Sequence, residues 1–249
     1  MSLHRSSPHA LRRVALVVLC CSVPAALSQP LPKAATLDPV VVTAARGPQS
    51  LDDLVADVTV IGPEEIARSG AGSLASLLSR QPGIEIVANG SPGSTSGVFI
   101  RGANRQQTVV LLDGLRIESS SAGAASLEAI PLEQIERIEI LRGPASSLYG
   151  ADAIGGVIQV FTRRGASSIA ANASIGYGTY ATAVASAGVS GGSGPLRYAV
   201  QVGGRRSDGF SAASGPETFG FDADRDDYKS LSVNASASVE WAKDQVAGA

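Results

Sequence analysis

Asp222, Asp224 and Asp226, spaced by two in "DADRDD" (222–227), are the densest ligand-like chemistry in this 249-residue sequence. An extended or looped backbone aims such carboxylates at one point, and a hard cation such as Ca2+ relieves their mutual repulsion. The run is not an EF-hand, because Asp227 stands where that loop needs glycine and Val233 where it needs the bidentate glutamate. It fits an acidic loop facing water equally well, and the residues alone leave both readings open.

Little other site chemistry is present. His4, His9, Cys20, Cys21 and Met1, the only residues of their types, all fall in the first 28 positions. Those positions read as a secretory signal. Arg5, Arg12 and Arg13 form its basic start, an apolar stretch follows from Val14, and Ala26-Leu27-Ser28 puts small residues at the cleavage positions. The apolar stretch is too short, and too interrupted by Pro24, to cross a bilayer as a helix. A mature chain starting at Gln29 then lacks thiol nucleophiles, Ser-His-Asp triads, and thiolate or imidazole metal sites. It also lacks disulfides. No catalytic residues are assigned, and no cofactor is expected beyond a possible Ca2+. Of the 20 basic residues three leave with the signal, so 17 face 22 acidic ones, a net of −5. Nothing basic enough for nucleic acid remains.

Two kinds of element must position whatever site exists. From about Val58 to Thr162, short strands ("VTVIG", "IEIVA", "GVFIR", "TVVLL", "RIEIL", "IGGVIQVFT") alternate with short helices. Pro63 with Glu64 and Glu65 opens the first helix and Gly70 closes it. Ser73 caps the second, whose Leu74, Leu77 and Leu78 form one apolar stripe ended by Pro82-Gly83. Asp113-Gly114 reads as a hairpin turn. The result expected is an α+β domain with a mixed sheet. Gly150, Gly155 and Gly156 superficially resemble a phosphate cradle, but no GK[ST] follows, so close backbone packing is the better reading.

After Gly165 the period becomes two. Ile169, Ala171, Ala173, Ile175 and Tyr177 oppose Asn172 and Ser174, and Leu196, Tyr198, Val200 and Val202 oppose Arg197 and Gln201. Leu231, Val233, Ala235, Ala237, Val239 and Trp241 oppose Ser232, Asn234, Ser236, Ser238 and Glu240, while Ala181 to Val189 alternate more weakly. Strands of about ten residues, apolar outward and polar inward, fit a transmembrane β-barrel. A β-sandwich with one buried face shows the same alternation; the connections and the scarcity of large side chains favour the barrel. Four such strands cannot close in lipid without unpaired backbone groups, so a fragment or truncated product is expected.

One stretch fits neither half. "DPVVVTAAR" (38–46) places Val40, Val41 and Val42 between polar, proline-containing flanks, with no evident partner strand nearby. Its pattern suits either the first strand of the mixed sheet or a segment that pairs with another protein.

Together with "VFIRGANRQQTVVLLDGLRI" (98–117) and "RGPASSLYGADAIGGVIQVFT" (142–162), this stretch resembles the TonB-dependent outer-membrane receptors, closest to their cobalamin (vitamin B12) group. The resemblance runs from Asp38 to about Trp241. It implies a signal (1–28), a periplasmic extension (29–57), a plug domain (58–165) and the first four strands of a 22-stranded barrel (166–249). Outer-membrane lipid of a Gram-negative bacterium would surround the barrel, with the plug and the extension on the periplasmic side.

The resemblance also implies residue roles. Asp38, Pro39, Val40, Val41, Val42, Thr43 and Ala44 match the TonB box, which adds as a strand to the energy-transducing partner TonB through main-chain hydrogen bonds. Pro39 departs from the usual residue there and removes one donor. Arg101 and Arg142, each before glycine, match plug arginines that pair with barrel carboxylates. Thr95 and Gly97, in an apical loop that departs from the family's, and Asn104 match ligand contacts. Cobalamin receptors bind calcium in the loop matching 222–227, although Ser211 replaces one earlier ligand. The implied function is import of cobalamin or a related corrinoid, with a siderophore receptor next. A non-transporting adhesin or phage or bacteriocin receptor is the reading from a different class.

Overall fold

The computed structural model describes residues 41–42, 49–50, 57–119, 123–165, 167–211, 215, 225–242 and 245–248. Val41–Val42 (β1) pairs antiparallel with Gln49–Ser50 (β2), Val41 opposite Ser50. The valines therefore have a partner in their own chain over two residues, contrary to the expectation that none lay nearby.

Asp57–Ile61 (β3) leads into helix Pro63–Arg68 (α1), with proline at its start and Glu64 and Glu65 in its first turn. Helix Leu74–Leu78 (α2) is capped by Ser73, whose Oγ accepts from Ser76 N at 3.1 Å. Ile84–Ala88 (β4) and Ser96–Ile100 (β5) form a separate antiparallel pair. Thr108–Leu112 (β6) and Leu115–Arg116 (β7) form a hairpin, and Asp113 (φ 50°) and Gly114 (φ 89°) are both left-handed, as a type I′ turn requires. Ile135–Arg142 (β8), the short helix Ser146–Tyr149 (α3) and Gly156–Thr162 (β9) complete the domain. Its sheet runs β3-β8-β9-β6-β7, with β6 and β9 parallel and the other pairs antiparallel, so it is mixed as expected.

One face of this sheet buries Ile61, Val110, Ile138, Ile140, Ile158 and Val160 against the leucine stripe of α2 and against β4 and β5. Each fully buried Ile or Leu contributes about 1.5–3 kcal/mol, so this face dominates the domain's stability. The glycines divide by role. A side chain at Gly155 or Gly156 would collide with Ala103 or with the Leu141 carbonyl, which is the close packing expected. Gly150 has open space around it, and its φ of 90° shows a turn requirement instead.

Ala170–Gly178 (β10), Thr182–Ser193 (β11), Leu196–Ser207 (β12), Tyr228–Ala242 (β13) and Gln245–Gly248 (β14) form one antiparallel sheet in chain order. The fifth strand is additional to the four expected; "QVAG" is too short to show alternation. Register confirms the two faces. Ile175, Ala185, Gly204 and Leu231 make one cross-strand row, and Ala173, Ala187, Val202 and Val233 the next. Ile175 is 91% exposed and Leu231 79%. No second layer covers this apolar face among the described residues, while the polar face meets the α+β domain. That arrangement is the one expected of a barrel wall, whereas a sandwich would bury the apolar face. The sheet is not closed among the described residues.

Candidate functional site

The polar face of the sheet is built by side chains that bond across strands. Asn172 and Gln201 exchange amide hydrogen bonds at 3.3 and 3.0 Å, directly over Gly188, where any side chain would collide with the Gln201 amide. Thr182 and Ser207 hydroxyls meet at 2.9 Å, and Ser174 and Ser186 at 2.7 Å. Gln134 reaches this wall from the α+β domain and donates to Ser232 Oγ at 3.0 Å. Ser232 in turn donates to the Gly203 carbonyl at 3.2 Å.

A cleft of about 590 Å³ lies between wall and domain. At one end the loop after β4 is pinned to the wall. Ser91 Oγ donates to the Asp226 carbonyl at 2.8 Å. Gly93, at φ 95°, lies under the Tyr228 ring, where a Cβ would overlap the aromatic carbons. Tyr180 borders the same cleft and packs against Phe210, ring centroids 5.1 Å apart.

The candidate ligand contacts separate in space. Ser94 and Ser96 line the cleft, whereas Thr95 and Gly97 between and beside them do not. Thr95 is exposed, and Gly97 is buried near the Phe99 ring. Asn104 lies beyond the opposite end of β5, where its backbone N–H donates to Gln107 Oε1 at 3.0 Å. The structure therefore does not bring the three together.

Arg101 and Arg142 do converge, but on a carboxylate of their own domain. Both pair with Asp57 at the start of β3, Arg142 Nη1 at 3.3 Å from Oδ1 and Arg101 through Nη2. This contact within the domain is additional to the barrel carboxylates that the resemblance implies as their partners. Asp57 stands directly opposite Arg142 in the β3–β8 register, so the sheet itself delivers the pair. Arg142 also donates to Thr59 Oγ1 at 2.7 Å and to the Pro82 carbonyl at 2.8 Å, while its buried Nη2 has no partner. Arg116, at the other edge of the sheet, is held above the usual guanidinium range, chiefly by its 2.7 Å hydrogen bond to Asp152 and secondarily by Glu118. It is a permanent cation that ties β7 to the segment before β9.

Of the box residues, Asp38, Pro39, Val40, Thr43 and Ala44 lie outside the described residues, as do Asp222 and Asp224. Asp226 is described, exposed, and engaged through its carbonyl. Among the described residues no cluster of three His, Cys, Asp or Glu could hold a metal.

Sequence reasoning missed Arg205. On β12 it follows Gln201 and Gly203 along the polar face, opposite Ser230 and Val184. The parity that put Arg197 and Gln201 on that face, extended by four residues, would have found it.

Residues 50–157 match the TonB-dependent receptor plug domain family. Solved structures agree in fold. A mutant of the ferric enterobactin receptor PfeA from Pseudomonas aeruginosa superposes with a TM-score of 0.63 at 25% identity, over 82% of this chain and 32% of that one. The siderophore receptor PirA from Acinetobacter baumannii superposes with a TM-score of 0.59 at 22% identity, over 74% and 29%. Residues 50–157 are thus a TonB-dependent receptor plug domain, and the antiparallel wall strands that follow are arranged as in these receptors. Among curated relatives, the vitamin B12 transporter BtuB of Vibrio vulnificus (strain CMCP6) is 46% identical over 144 residues, 58% of this chain and 24% of the relative. The transporter of the same name from Photobacterium profundum is 37% identical over 201 residues, 80% of this chain and 32% of the relative. The chain spans about a quarter to a third of the length of these relatives. They are named as transporters and receptors, not enzymes.

Proposed function

We propose that this protein is an outer-membrane receptor that imports cobalamin or a related corrinoid, gated by its plug and energised through residues 38–44. The observation that carries the reading is the seating of a plug domain against the polar face of a wall whose other face is apolar and uncovered. That geometry suits a lipid-embedded barrel with its lumen filled. Relatives named vitamin B12 transporters, 37–46% identical, favour the corrinoid. The second reading, a ferric siderophore, rests on solved receptors near 25% identity and carries less weight.

In this reading the box valines add as a strand to TonB, which requires β1 to leave β2. A two-residue ladder is a weak competitor for a longer intermolecular one. Asp222, Asp224 and Asp226 bind Ca2+ with carbonyls and water completing the shell, and Thr95, Gly97 and Asn104 contact ligand. The plug and the extension face the periplasm. The test is equilibrium binding of cyanocobalamin to the receptor in detergent, with ferric enterobactin as competitor. Retained cobalamin, undisplaced by the siderophore, is expected; binding of the siderophore alone would refute the corrinoid.

A further inference from the structure

Resting on the ligand-receptor reading above, we propose that Arg205 is an anion-recognition residue, holding an oxyanion of the incoming ligand against the wall side of the plug–wall cleft. Four observations on the side chain lead there. First, it points inward, on the same face as Gln201 and Ser207, which are 3% and 0% exposed. Second, it borders the cleft, and a Cβ at Gly72 of the plug would lie 3.7 Å from its Nη2, so glycine leaves the guanidinium room. Third, its Nε is buried without any acceptor, the kind of polar atom that folded proteins rarely leave unmatched. Fourth, it makes no ion pair among the described residues, although Glu128 and Glu133 border the same cleft.

Those two glutamates shape the ligand that fits. Both belong to the plug, and Glu128 is turned toward it, accepting from Ser96 Oγ at 3.3 Å. The cleft therefore offers a planar, five-donor cation on the wall and acceptors on the plug. A ligand with one phosphodiester or carboxylate and several neutral N–H groups satisfies both sides, the oxyanion forked by Arg205 and the amides donating to the carboxylates. A ligand anionic over its whole surface meets Glu128 and Glu133 unfavourably. Tyr180 and Tyr228, bordering the cleft, add ring faces to the same site. Cobalamin has this chemistry, one nucleotide phosphodiester among peripheral carboxamides, whereas cobinamide keeps the corrin and lacks the phosphodiester.

The experiment uses the receptor purified in detergent and three probes: inorganic phosphate, cyanocobalamin and cobinamide. Variants are Arg205→Gln, Arg205→Lys and Ser230→Asp, the last placing a carboxylate opposite Arg205 in the register while keeping the arginine. Phosphate affinity is expected to fall about tenfold or more in Arg205→Gln and Ser230→Asp and to survive in Arg205→Lys. Cobalamin affinity should fall in parallel while cobinamide affinity stays level. If Arg205→Gln fails to fold, Ser230→Asp and Arg205→Lys decide the question. Phosphate binding that is absent in wild type, or unchanged by Ser230→Asp, overturns the proposal. Equal loss of cobalamin and cobinamide also overturns it, because the effect would then be structural. Arginine-dependent phosphate binding without any corrinoid binding supports the anion site and removes only the corrinoid reading.

Discussion

Replacing Asp57 with alanine should loosen the first plug strand without unfolding the plug. Asp57 is the carboxylate shared by Arg101 and Arg142, and the burial of the two arginines is unequal. The Arg142 side chain is 4% exposed, that of Arg101 51% and that of Asp57 47%. Breaking a fully buried pair costs about 3–5 kcal/mol because a charge is stranded, and an exposed pair contributes about 0–1 kcal/mol. Arg142 would keep its bonds to Thr59 and Pro82, and water could enter where the half-exposed carboxylate stood. The expected cost lies between the limits, about 1–3 kcal/mol. It should fall on β3, an edge strand hydrogen-bonded only to β8 in its sheet. Amide hydrogen exchange of Val58 to Ile61 should quicken about five- to 150-fold, while Ile138 and Ile158 at the sheet centre change little. Double-mutant cycles should assign most of the coupling to Arg142, because burial outweighs proximity here. Unchanged exchange in β3, or coupling concentrated on Arg101, would refute the reasoning.

Three further outcomes follow from the same contacts. Gly93→Ala should unseat the loop from Tyr228, adding about 1–3 kcal/mol of backbone strain to the clash, and should raise protease cleavage near residue 93; Tyr228→Ala in the same chain should relieve the clash but not the strain. Val41→Pro should abolish energy-coupled uptake and spare equilibrium ligand binding, since it removes a strand donor without changing a residue that borders the cleft; unchanged uptake would count against the box. Calorimetry should show weaker Ca2+ binding for Asp224→Asn than for wild type, and equal affinities would leave an acidic loop facing water.

The fold was largely legible because its signals are local. Alternation over ten residues sets the two faces of the wall, and register then only has to match like faces. The leucine stripe of α2, its Ser73 cap and the Asp113-Gly114 turn are likewise short-range patterns, and all three stand in the structure. The site was less legible for two physical reasons. Facing in a strand has parity two, so an assignment one residue off selects the opposite face. Ser94 and Ser96 border the cleft, whereas Thr95 and Gly97 between and beside them do not. The same parity separates Arg205, aimed at the plug, from Arg206 on the outer face, a distinction composition cannot make.

The second reason is distance along the chain. Asp57 meets Arg101 across 44 residues and Arg142 across 85, and Ser91 meets Asp226 across 135. No local pattern marks which of the acids will close such a contact. Once the sheet order is known, however, the β3–β8 register places Asp57 opposite Arg142 directly. The same logic connects the acidic loop to the plug. Ser91 bonds the Asp226 carbonyl, so a cation held at the Asp226 carboxylate would act on the loop over the cleft through the backbone. A cation bound there and a ligand held at Arg205 would then favour each other by equal factors, since coupling between two binding sites is reciprocal.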